Sequence, residues 1–325
     1  MATVRDLGEF GVIQRIARVT PTSAAVVEGI GDDCAVVRVS DRLLLMSCDL
    51  LVENVHFRKG QVSAVDLGWK AAAACLSDVA AMGGTPLFCL VSLSCPSDTE
   101  VSFIEELYRG MSRLLTRYGA IIVGGDTTNA GDGIVIDVSV VGQLSDSRCL
   151  RRKGACAGDL LAVTGHLGLV AASVHALDHG HPIVADIIQR YQRPAPRIRE
   201  GQWLCGCPEI HAMLDISDGL IQDAGHLGVA AELGVDLHPN GLSLMPHLKE
   251  YCDAHGLDPR VLMLTGGEDY ELAFALDRAG HEETLEKFHH EFRTVVSVVG
   301  EFTDEWQGVR VDGKETDLSG FNHFE

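Results

Sequence analysis

The sequence has few basic residues and no long apolar run, and each absence excludes a class of protein. Its 325 residues include 26 Lys and Arg against 46 Asp and Glu, which gives a formal net charge of −20. That balance argues against a nucleic-acid-binding surface, because phosphate contacts need clustered cations. A membrane-spanning helix needs about 18 or more consecutive apolar residues. The sequence contains no such stretch, so we expect no membrane span.

Disulfide and secretion signals are also missing. The ten cysteines are scattered and form no disulfide framework and no pair of CxxC motifs. The first residues include the acids Asp6 and Glu9 rather than the apolar core of a secretory signal. We therefore expect a protein of the reducing cytoplasm. The close pair Cys205 and Cys207 lacks the second pair that is typical of a structural zinc site.

Several catalytic signatures are absent as well. There is no GxSxG elbow of a serine hydrolase and no GxGxxG of a dinucleotide-binding fold. The nearest approach to a P-loop, residues 308–315, ends in Glu315 where a Ser or Thr should reach Mg²⁺, and its middle alternates like a strand. If this chain uses a nucleotide, it does so on a different scaffold.

What the sequence has instead is acids at the ends of apolar runs. The clearest case is residues 29–33, where a glycine turn presents Asp32 and Asp33 side by side. Similar acids stand at Asp49, Asp78, Asp126, residues 215–219 and residues 266–269. Two carboxylates 4 Å apart repel by about 1 kcal/mol in water and about 4 kcal/mol at an effective dielectric constant of 20. If these loops converge, cations must hold them together, and hard carboxylate oxygens suit Mg²⁺.

The apolar pattern predicts an α/β fold in two domains, residues 1–145 and 146–325, since the chain exceeds the usual size of a single core. After an N-terminal helix, the first half is predicted as β-β-α-β-α-β-β. The predicted elements are strands 35–39 and 43–48, a helix from Ser63 to Met82, strand 87–95, a helix ending at Tyr118, a short buried strand 121–123, and strand 134–141. The first two strands form a hairpin, which brings Asp32, Asp33 and Asp49 to one end.

The second half opens with a basic cluster at residues 148–153, which is large enough to hold the phosphates of one nucleotide. Strands are predicted at 160–163, 211–216, 270–276 and 295–299, with a polar helix at 282–290. Ser217 is predicted to N-cap a helix that runs to Leu233. Asp215 and Asp218 flank that helix start, where backbone N–H groups and the helix dipole favour anions. A phosphate bridged by a metal to these acids would use both features.

Six motifs taken in order resemble those of the thiamine-monophosphate kinases, which belong to the superfamily of aminoimidazole-ribonucleotide synthetase. The motifs are GIGDDCAVV (29–37), SCDLLVENVHF (47–57), LSDVAAMGGTP (76–86), GGDTT (124–128), LDISDGL (214–220) and GGEDYEL (266–272). The terminal GFNHF also fits, so the resemblance covers nearly the whole chain. Any one motif is a weak signal, whereas six in sequence are specific.

The resemblance implies a Mg²⁺-dependent kinase that phosphorylates thiamine phosphate to thiamine diphosphate by direct in-line transfer from ATP. It also implies a homodimer whose N-terminal mixed sheets close an intersubunit β-barrel, and a C-terminal α/β domain of the aminoimidazole-ribonucleotide synthetase type. ATP and thiamine phosphate are thus the expected ligands, with several Mg²⁺ ions as cofactors and with no nucleic acid or membrane among the partners.

The resemblance also assigns roles to individual residues. The residues expected to hold Mg²⁺ are Asp32, Ser47, Cys48, Asp49, Asp78, Asp126, Asp215 and Asp218. Those expected to contact ATP are Tyr108, Gly125, Asp126, Arg152 and Ser217, and those expected to contact thiamine phosphate are His56, Glu268 and Phe321. Asp126, Arg152 and Asp218 are expected to support the transfer itself. No general base is expected, because the attacking phosphate is already largely ionised near neutral pH.

Two positions depart from the family pattern. Cys48 stands where the family usually has Thr, so a backbone oxygen can serve a metal there but a side-chain hydroxyl cannot. Phe321 stands where several relatives carry Tyr or Trp, which keeps ring stacking but removes a polar group. Asp33 leaves the strand in the opposite direction from Asp32, so we assign Asp32 to metal and Asp33 to structure.

Alternative functions stay open. One alternative is another ATP-dependent enzyme of the superfamily, such as an aminoimidazole-ribonucleotide synthetase. A hydrogenase-maturation dehydratase should end in a reactive Cys, and this chain ends His-Phe-Glu. A selenophosphate synthetase should carry a reactive Cys or Sec ahead of the first strand, and residues 1–28 contain no Cys. A non-catalytic Mg-nucleotide sensor would bind without turnover. A glycosidase needs one pair of carboxylates rather than a series of acidic loops.

Overall fold

The computed structural model describes residues 3–145 and 148–324, and over these ranges the chain forms two β-sheets flanked by ten α-helices. The first half contains α1 (Val4–Val19), β1 (Val26–Glu28), β2 (Ala35–Val39), β3 (Arg42–Val52), α2 (Ala64–Ala81), β4 (Thr85–Cys95), α3 (Val101–Arg117), β5 (Ile121–Asn129) and β6 (Val135–Gln143). No helix in the described ranges is both long enough and apolar enough to cross a membrane.

The second half contains seven more helices and seven more strands within the described residues. They are β7 (Leu160–Thr164), α4 (Leu169–His179), α5 (Ala185–Gln192), α6 (Ile198–Cys205), β8 (Ile210–Asp215), α7 (Leu220–Ala231), β9 (Gly234–Leu237), α8 (Pro246–His255), α9 (Pro259–Thr265), β10 (Leu272–Leu276), α10 (His281–Glu291), β11 (Val296–Thr303), β12 (Gly308–Val311) and β13 (Lys314–Glu315). The predicted α/β character of the fold is confirmed.

Each half builds one mixed sheet. The first has the strand order β1-β2-β3-β6-β4-β5, and the second has the order β13-β12-β9-β11-β7-β10-β8. In the first sheet β6 is inserted between β3 and β4 and pairs antiparallel with both, while β4 and β5 are parallel. The predicted hairpin of β2 and β3 is present, with Ala35 opposite Met46.

Two strands differ from their predicted form. β3 does not end before Asp49 but continues to Val52, because β6 gives it a nine-residue ladder that ends at the pair Val52 and Val135. β5 is not a short buried strand. It runs for nine residues through Asp126 and is exposed along almost its whole length, because it is the edge strand of the sheet.

Helix α2 lies at the centre of the molecule. Fifteen of its 18 residues are buried, as expected of a helix that is apolar on all sides, and the core around it includes side chains from both sheets. It crosses α3 at very short range. A Cβ atom added to Gly68 would lie 1.9 Å from the Leu107 carbonyl oxygen, and one added to Gly110 would lie 1.9 Å from the Val65 carbonyl oxygen. Only glycine at both positions permits this approach, which fixes α2 and hence Asp78 near its end.

Candidate active site

Carboxylates from both halves of the chain converge beside the C-terminal end of α2. Burial, together with Asp49, Asp215 and Asp33, raises the pKa of Asp78 well above its usual range. Burial and then Asp33 raise the pKa of Asp215, at the end of β8, to about 8. Burial and the adjacent Asp33 raise the pKa of Asp32 to about 7. We call Asp32, Asp33, Asp49, Asp78 and Asp215 the acid cluster. Its members oppose one another's ionisation, so the site favours a bound cation.

Arg152 is the basic side chain that enters this cluster. Its Nε and Nη2 donate to Asp33 Oδ1 at 2.9 and 2.6 Å, and its backbone N–H lies 3.2 Å from Asp32 Oδ2. The Asp33 side chain has no exposed surface, and this pairing raises the pKa of Arg152. Asp33 therefore anchors Arg152, which agrees with the structural role expected for Asp33.

Strand alternation separates the residues of the second motif. Ser47 and Asp49 point toward the cluster, where the Ser47 hydroxyl donates to Asp78, and burial followed by Asp137 raises the pKa of Asp49 to about 6. The exposed Cys48 side chain points to the opposite face of the sheet, since neighbouring residues of a strand alternate. Its thiol therefore lies outside the acid cluster.

The start of α7 is built differently from the prediction. The N-cap residue is Gly219 rather than Ser217. Glycine has no side chain that could cap the helix. Asp223, one turn into the helix, accepts from the backbone N–H groups of Asp218 and Gly219 at 3.2 and 3.0 Å. Asp223 satisfies donors that a cap would otherwise bind. The Ser217 carbonyl instead accepts from the Glu268 N–H at 2.7 Å, which joins the fifth and sixth motifs.

A second group of side chains, which we call the acceptor pocket, contains His56, Glu268, Phe321 and the previously unassigned Lys70. Lys70 donates from Nζ to Glu268 Oε2 at 2.8 Å and to the His56 carbonyl at 3.0 Å. The ring of His323 lies 5.1 Å from that of His56 and 4.8 Å from that of Phe321. Three of these residues were expected at the substrate. Lys70 was missed because it lies inside an alanine-rich helix.

The C-terminal segment joins the acceptor pocket to Asp218 at the start of α7. The Phe321 N–H donates to the Asp218 carbonyl at 2.9 Å, and Gln222 Nε2 donates both to Asp218 Oδ2 and to the Phe321 carbonyl at 3.0 Å. Burial and then Glu9 raise the pKa of Asp218. Asp218 is therefore bonded to Phe321 of the acceptor pocket, and it also lies close enough to Arg152 to feel the charge of that guanidinium group.

Three predicted nucleotide-contacting residues are not drawn into either group within the protomer. Tyr108 lies on α3, half-buried against the core. Gly125 and Asp126 lie on the exposed edge strand β5, where Asp126 is opposite Ser92 and Ser92 is opposite Asp137. Asp126 is thus two strands away from Asp137, which itself acts on Asp49. The order of the strands in the sheet separates Asp126 from the acid cluster. The spacing of residues along the chain does not reveal that order.

The first half of the chain resembles a described protein family. Residues 31–144 match the family described as AIR synthase related protein, N-terminal domain. HypE of Escherichia coli, a hydrogenase maturation protein, has the same fold at 21% identity with a TM-score of 0.71, covering 93% of this chain and 92% of that one.

Relatives matched over nearly their whole length identify one family. Thiamine-monophosphate kinase of Aquifex aeolicus is 34% identical over 325 residues, 99% of each chain, and that of Escherichia coli K12 is 34% identical over 333 residues, 98% of each. A solved structure of AaThiL complexed with AMPPCP and TMP matches with a TM-score of 0.88 and 34% identity over 99% of both chains. The chain belongs to the thiamine-monophosphate kinase family.

Proposed function

We propose that this chain transfers the γ-phosphoryl group of ATP to thiamine phosphate and releases ADP and thiamine diphosphate. The observation that carries the proposal is the acid cluster together with the acceptor pocket, since Asp218 is bonded to Phe321 of the pocket and lies near Arg152 of the cluster. A related structure, complexed with AMPPCP (an ATP analogue) and TMP, supports the same pair of ligands. Phosphoryl transfer mainly needs positioning and neutralisation of charge, and this arrangement offers both.

Mg²⁺ is the cation that best fits the acid cluster. The five carboxylates of the acid cluster offer hard oxygen donors, which Mg²⁺ prefers. The residues proposed to hold the ions are Asp32, Ser47, Asp49, Asp78, Asp126, Asp215 and Asp218, with Cys48 contributing at most a backbone oxygen. When bound, Mg²⁺ would neutralise phosphate charge and thereby assist transfer.

The protein's own groups would then orient the two substrates. Arg152, held by Asp33, would place a fixed positive charge beside the transferring group, and Ser217 and Gly125 would contact the nucleotide. His56, Glu268 and Phe321 would bind thiamine phosphate, with the half-exposed Phe321 ring available for stacking. A phosphate acceptor needs no strong general base.

We also propose that the enzyme is a homodimer. The outer face of the first sheet carries a row of apolar side chains, Met46, Leu50, Phe88, Leu90 and Ile121, which are 45–55% exposed. The register places Met46 and Phe88 opposite the same residue, Val141, and Phe88 opposite Ile121. A second copy would cover this face and the edge strand β5. It would also enclose Gly125 and Asp126, which are isolated in one protomer.

A cytoplasmic location is part of the same proposal. The ten cysteines all lie within the described residues and form no disulfide there, and six of them are buried as small apolar side chains. A disulfide-free enzyme that uses ATP fits a reducing compartment.

The decisive experiment measures ADP release with and without thiamine phosphate. We expect ADP formation to require both thiamine phosphate and Mg²⁺, and the Asp218→Asn variant to lose at least about 100-fold in kcat/KM, which corresponds to about 2.7 kcal/mol. Asp253→Asn, an exposed acid on α8, is the matched control and should behave like the wild type. ADP formation that is indifferent to thiamine phosphate would overturn the kinase proposal. Near-normal turnover of Asp218→Asn at limiting Mg²⁺ would overturn the assignment of that residue to metal.

A further inference from the structure

A thiol, an imidazole and a carboxylate meet on the second half of the chain, outside the acid cluster and the acceptor pocket. They belong to Cys156, His211 and Asp159, and one potential ligand atom from each lies within 4.8 Å of the others. Asp159 immediately precedes β7 and its side chain is only 6% exposed, His211 lies on β8 and is partly exposed, and Cys156 is one of the exposed thiols. The proposed phosphoryl transfer uses none of them.

The buried carboxylate organises the other two residues. Asp159 Oδ2 accepts the Cys156 backbone N–H at 2.8 Å and lies 2.8 Å from His211 Nδ1. Both contacts use Oδ2, so the second oxygen of the same carboxylate, Oδ1, is left to bind an ion. The Cys156 thiol is held beside this pair by the same turn, because its own backbone is bonded to Asp159.

We propose that Cys156, His211 and Asp159 form a binding site for a borderline-soft divalent cation of the Zn²⁺ class. Zn–S bonds of about 2.3 Å and Zn–N and Zn–O bonds of about 2.0–2.2 Å place neighbouring tetrahedral ligands roughly 3.5 Å apart. Ligand atoms already within 4.8 Å of one another therefore need only small side-chain rotations to close on one ion. Binding converts the thiol to a thiolate and releases its proton to solvent, and water completes the coordination.

The donor set distinguishes this site from the acid cluster. A thiolate and an imidazole select Zn²⁺ or Co²⁺, whereas the all-oxygen acid cluster suits Mg²⁺. The two sites should therefore be filled by different ions in the same solution. This part of the inference does not depend on the kinase proposal.

An ion here would link the turn to the strand that ends at the acid cluster. The turn packs directly on β8, since a Cβ atom added to Gly154 would lie 2.3 Å from the His211 carbonyl oxygen, and the Met213 N–H donates to the Arg151 carbonyl at 2.9 Å. Arg152 precedes this turn and Asp215 ends β8. Metal bound by Cys156 and His211 would thus cross-link the two segments that carry Arg152 and Asp215.

The test titrates the metal-free full-length chain with Co²⁺ in the presence of excess Mg²⁺. A thiolate-to-cobalt charge-transfer band should appear with a stoichiometry of one and should vanish when Zn²⁺ is added. Cys156→Ser should abolish the band, and His211→Gln, which removes a direct ligand, should weaken Co²⁺ affinity by at least about 10-fold, the smallest loss that is typical even for an outer-shell partner. Circular dichroism and thermal unfolding establish that both variants fold. The control Cys48→Ser, which removes the other exposed thiol, should keep the band.

Alkylation of the two exposed thiols gives an independent measurement. Zn²⁺ should slow iodoacetamide labelling of Cys156, read by mass spectrometry, and leave labelling of Cys48 unchanged in the same sample. The proposal is wrong if no thiolate band forms, if the band survives in Cys156→Ser, or if Cys207→Ser removes it instead. It is equally wrong if Zn²⁺ protects both thiols to the same extent.

Discussion

Lys70 connects the helix at the centre of the molecule to the acceptor pocket. Its side chain is 1% exposed, its ammonium group donates to Glu268, and it lies 4.1 Å from the centre of the Tyr191 ring. An ammonium group removed from water costs several kcal/mol unless a charge or hydrogen-bond acceptor compensates it. Glu268 supplies that compensation. The bond to Lys70 in turn holds Glu268, whose backbone has a φ of 62°, a value that non-glycine residues rarely adopt.

Replacing Lys70 by Met should therefore affect both stability and substrate binding. Breaking a buried ion pair typically costs about 3–5 kcal/mol in the free energy of unfolding, and we expect a loss of that order in urea titrations. The KM for thiamine phosphate should rise while the KM for ATP stays near the wild-type value, since Lys70 contacts the acceptor pocket. Lys249→Met, which removes an exposed pair with Asp253, should change stability by less than about 1 kcal/mol. Equal increases in both KM values would contradict the placement of Lys70.

The acid cluster makes a prediction about pH. The pKa values of Asp49, Asp32 and Asp215 are raised to about 6, 7 and 8, whereas an unfolded chain has Asp pKa values near about 3.9. Between these limits the folded state binds more protons than the unfolded state, so the free energy of unfolding falls as pH rises. Without metal, the melting temperature should decrease from pH 5 to pH 8.

With Mg²⁺ present, the melting temperature should instead rise from pH 5 to pH 8, because the bound cation takes the place of the protons on the carboxylates. Differential scanning calorimetry with and without Mg²⁺ measures both effects, and calorimetric titration should show Mg²⁺ affinity rising over the same pH range. Asp215→Asn should flatten the metal-free pH profile. A metal-free protein whose melting temperature rises steadily from pH 5 to pH 8 would contradict the proposed sign.

At the scale of secondary structure, the crossing of α2 and α3 determines where Asp78 lies. We expect Gly68→Ala and Gly110→Ala each to destabilise the protein by about 3 kcal/mol or more, at or above the usual range for overpacking, because each added methyl group would meet a backbone carbonyl oxygen at 1.9 Å. Denaturant unfolding checks this. Ser112→Ala, on the exposed side of α3, should lie within about 0.5 kcal/mol of the wild type. If Gly68→Ala left the free energy of unfolding unchanged, α2 and α3 would be able to move apart without loss of stability, and the prediction would be wrong.

Most elements and most of the site followed from local patterns. The hairpin of β2 and β3, the Ser63 cap of α2 and the acids at the ends of apolar runs are encoded within a few residues of one another, and the sequence alone predicts them. Two errors have non-local causes, because the exposure of β5 depends on its place at the sheet edge and the length of β3 depends on its pairing with β6. The third is a local choice between neighbouring side chains, since the start of α7 depends on Asp223 rather than Ser217. Lys70 could have been noticed as a charge within an apolar helix, but its partners lie far along the chain.

At the scale of the whole molecule, the exposed apolar face of the first sheet predicts association. Leu90→Asp should convert the proposed dimer into a monomer, because a carboxylate would be buried without a partner, and size-exclusion chromatography with light scattering measures the mass. The control is Val229→Asp, which changes a 74% exposed apolar residue on α7 and should leave the mass unchanged. A monomeric wild type at micromolar concentration, or a dimeric Leu90→Asp, would contradict the proposed interface.

The central place of β6 in the first sheet has a consequence for synthesis on the ribosome. β3 and β4 cannot join one sheet until β6 has emerged, and the last member of the acid cluster, Asp215, comes later still. Folding therefore waits for pairings between distant parts of the chain, which makes it slow, and the mutually repelling carboxylates are brought together only at a late stage. Divalent cations in the surroundings should accordingly accelerate the final folding phase, before any nucleotide is bound.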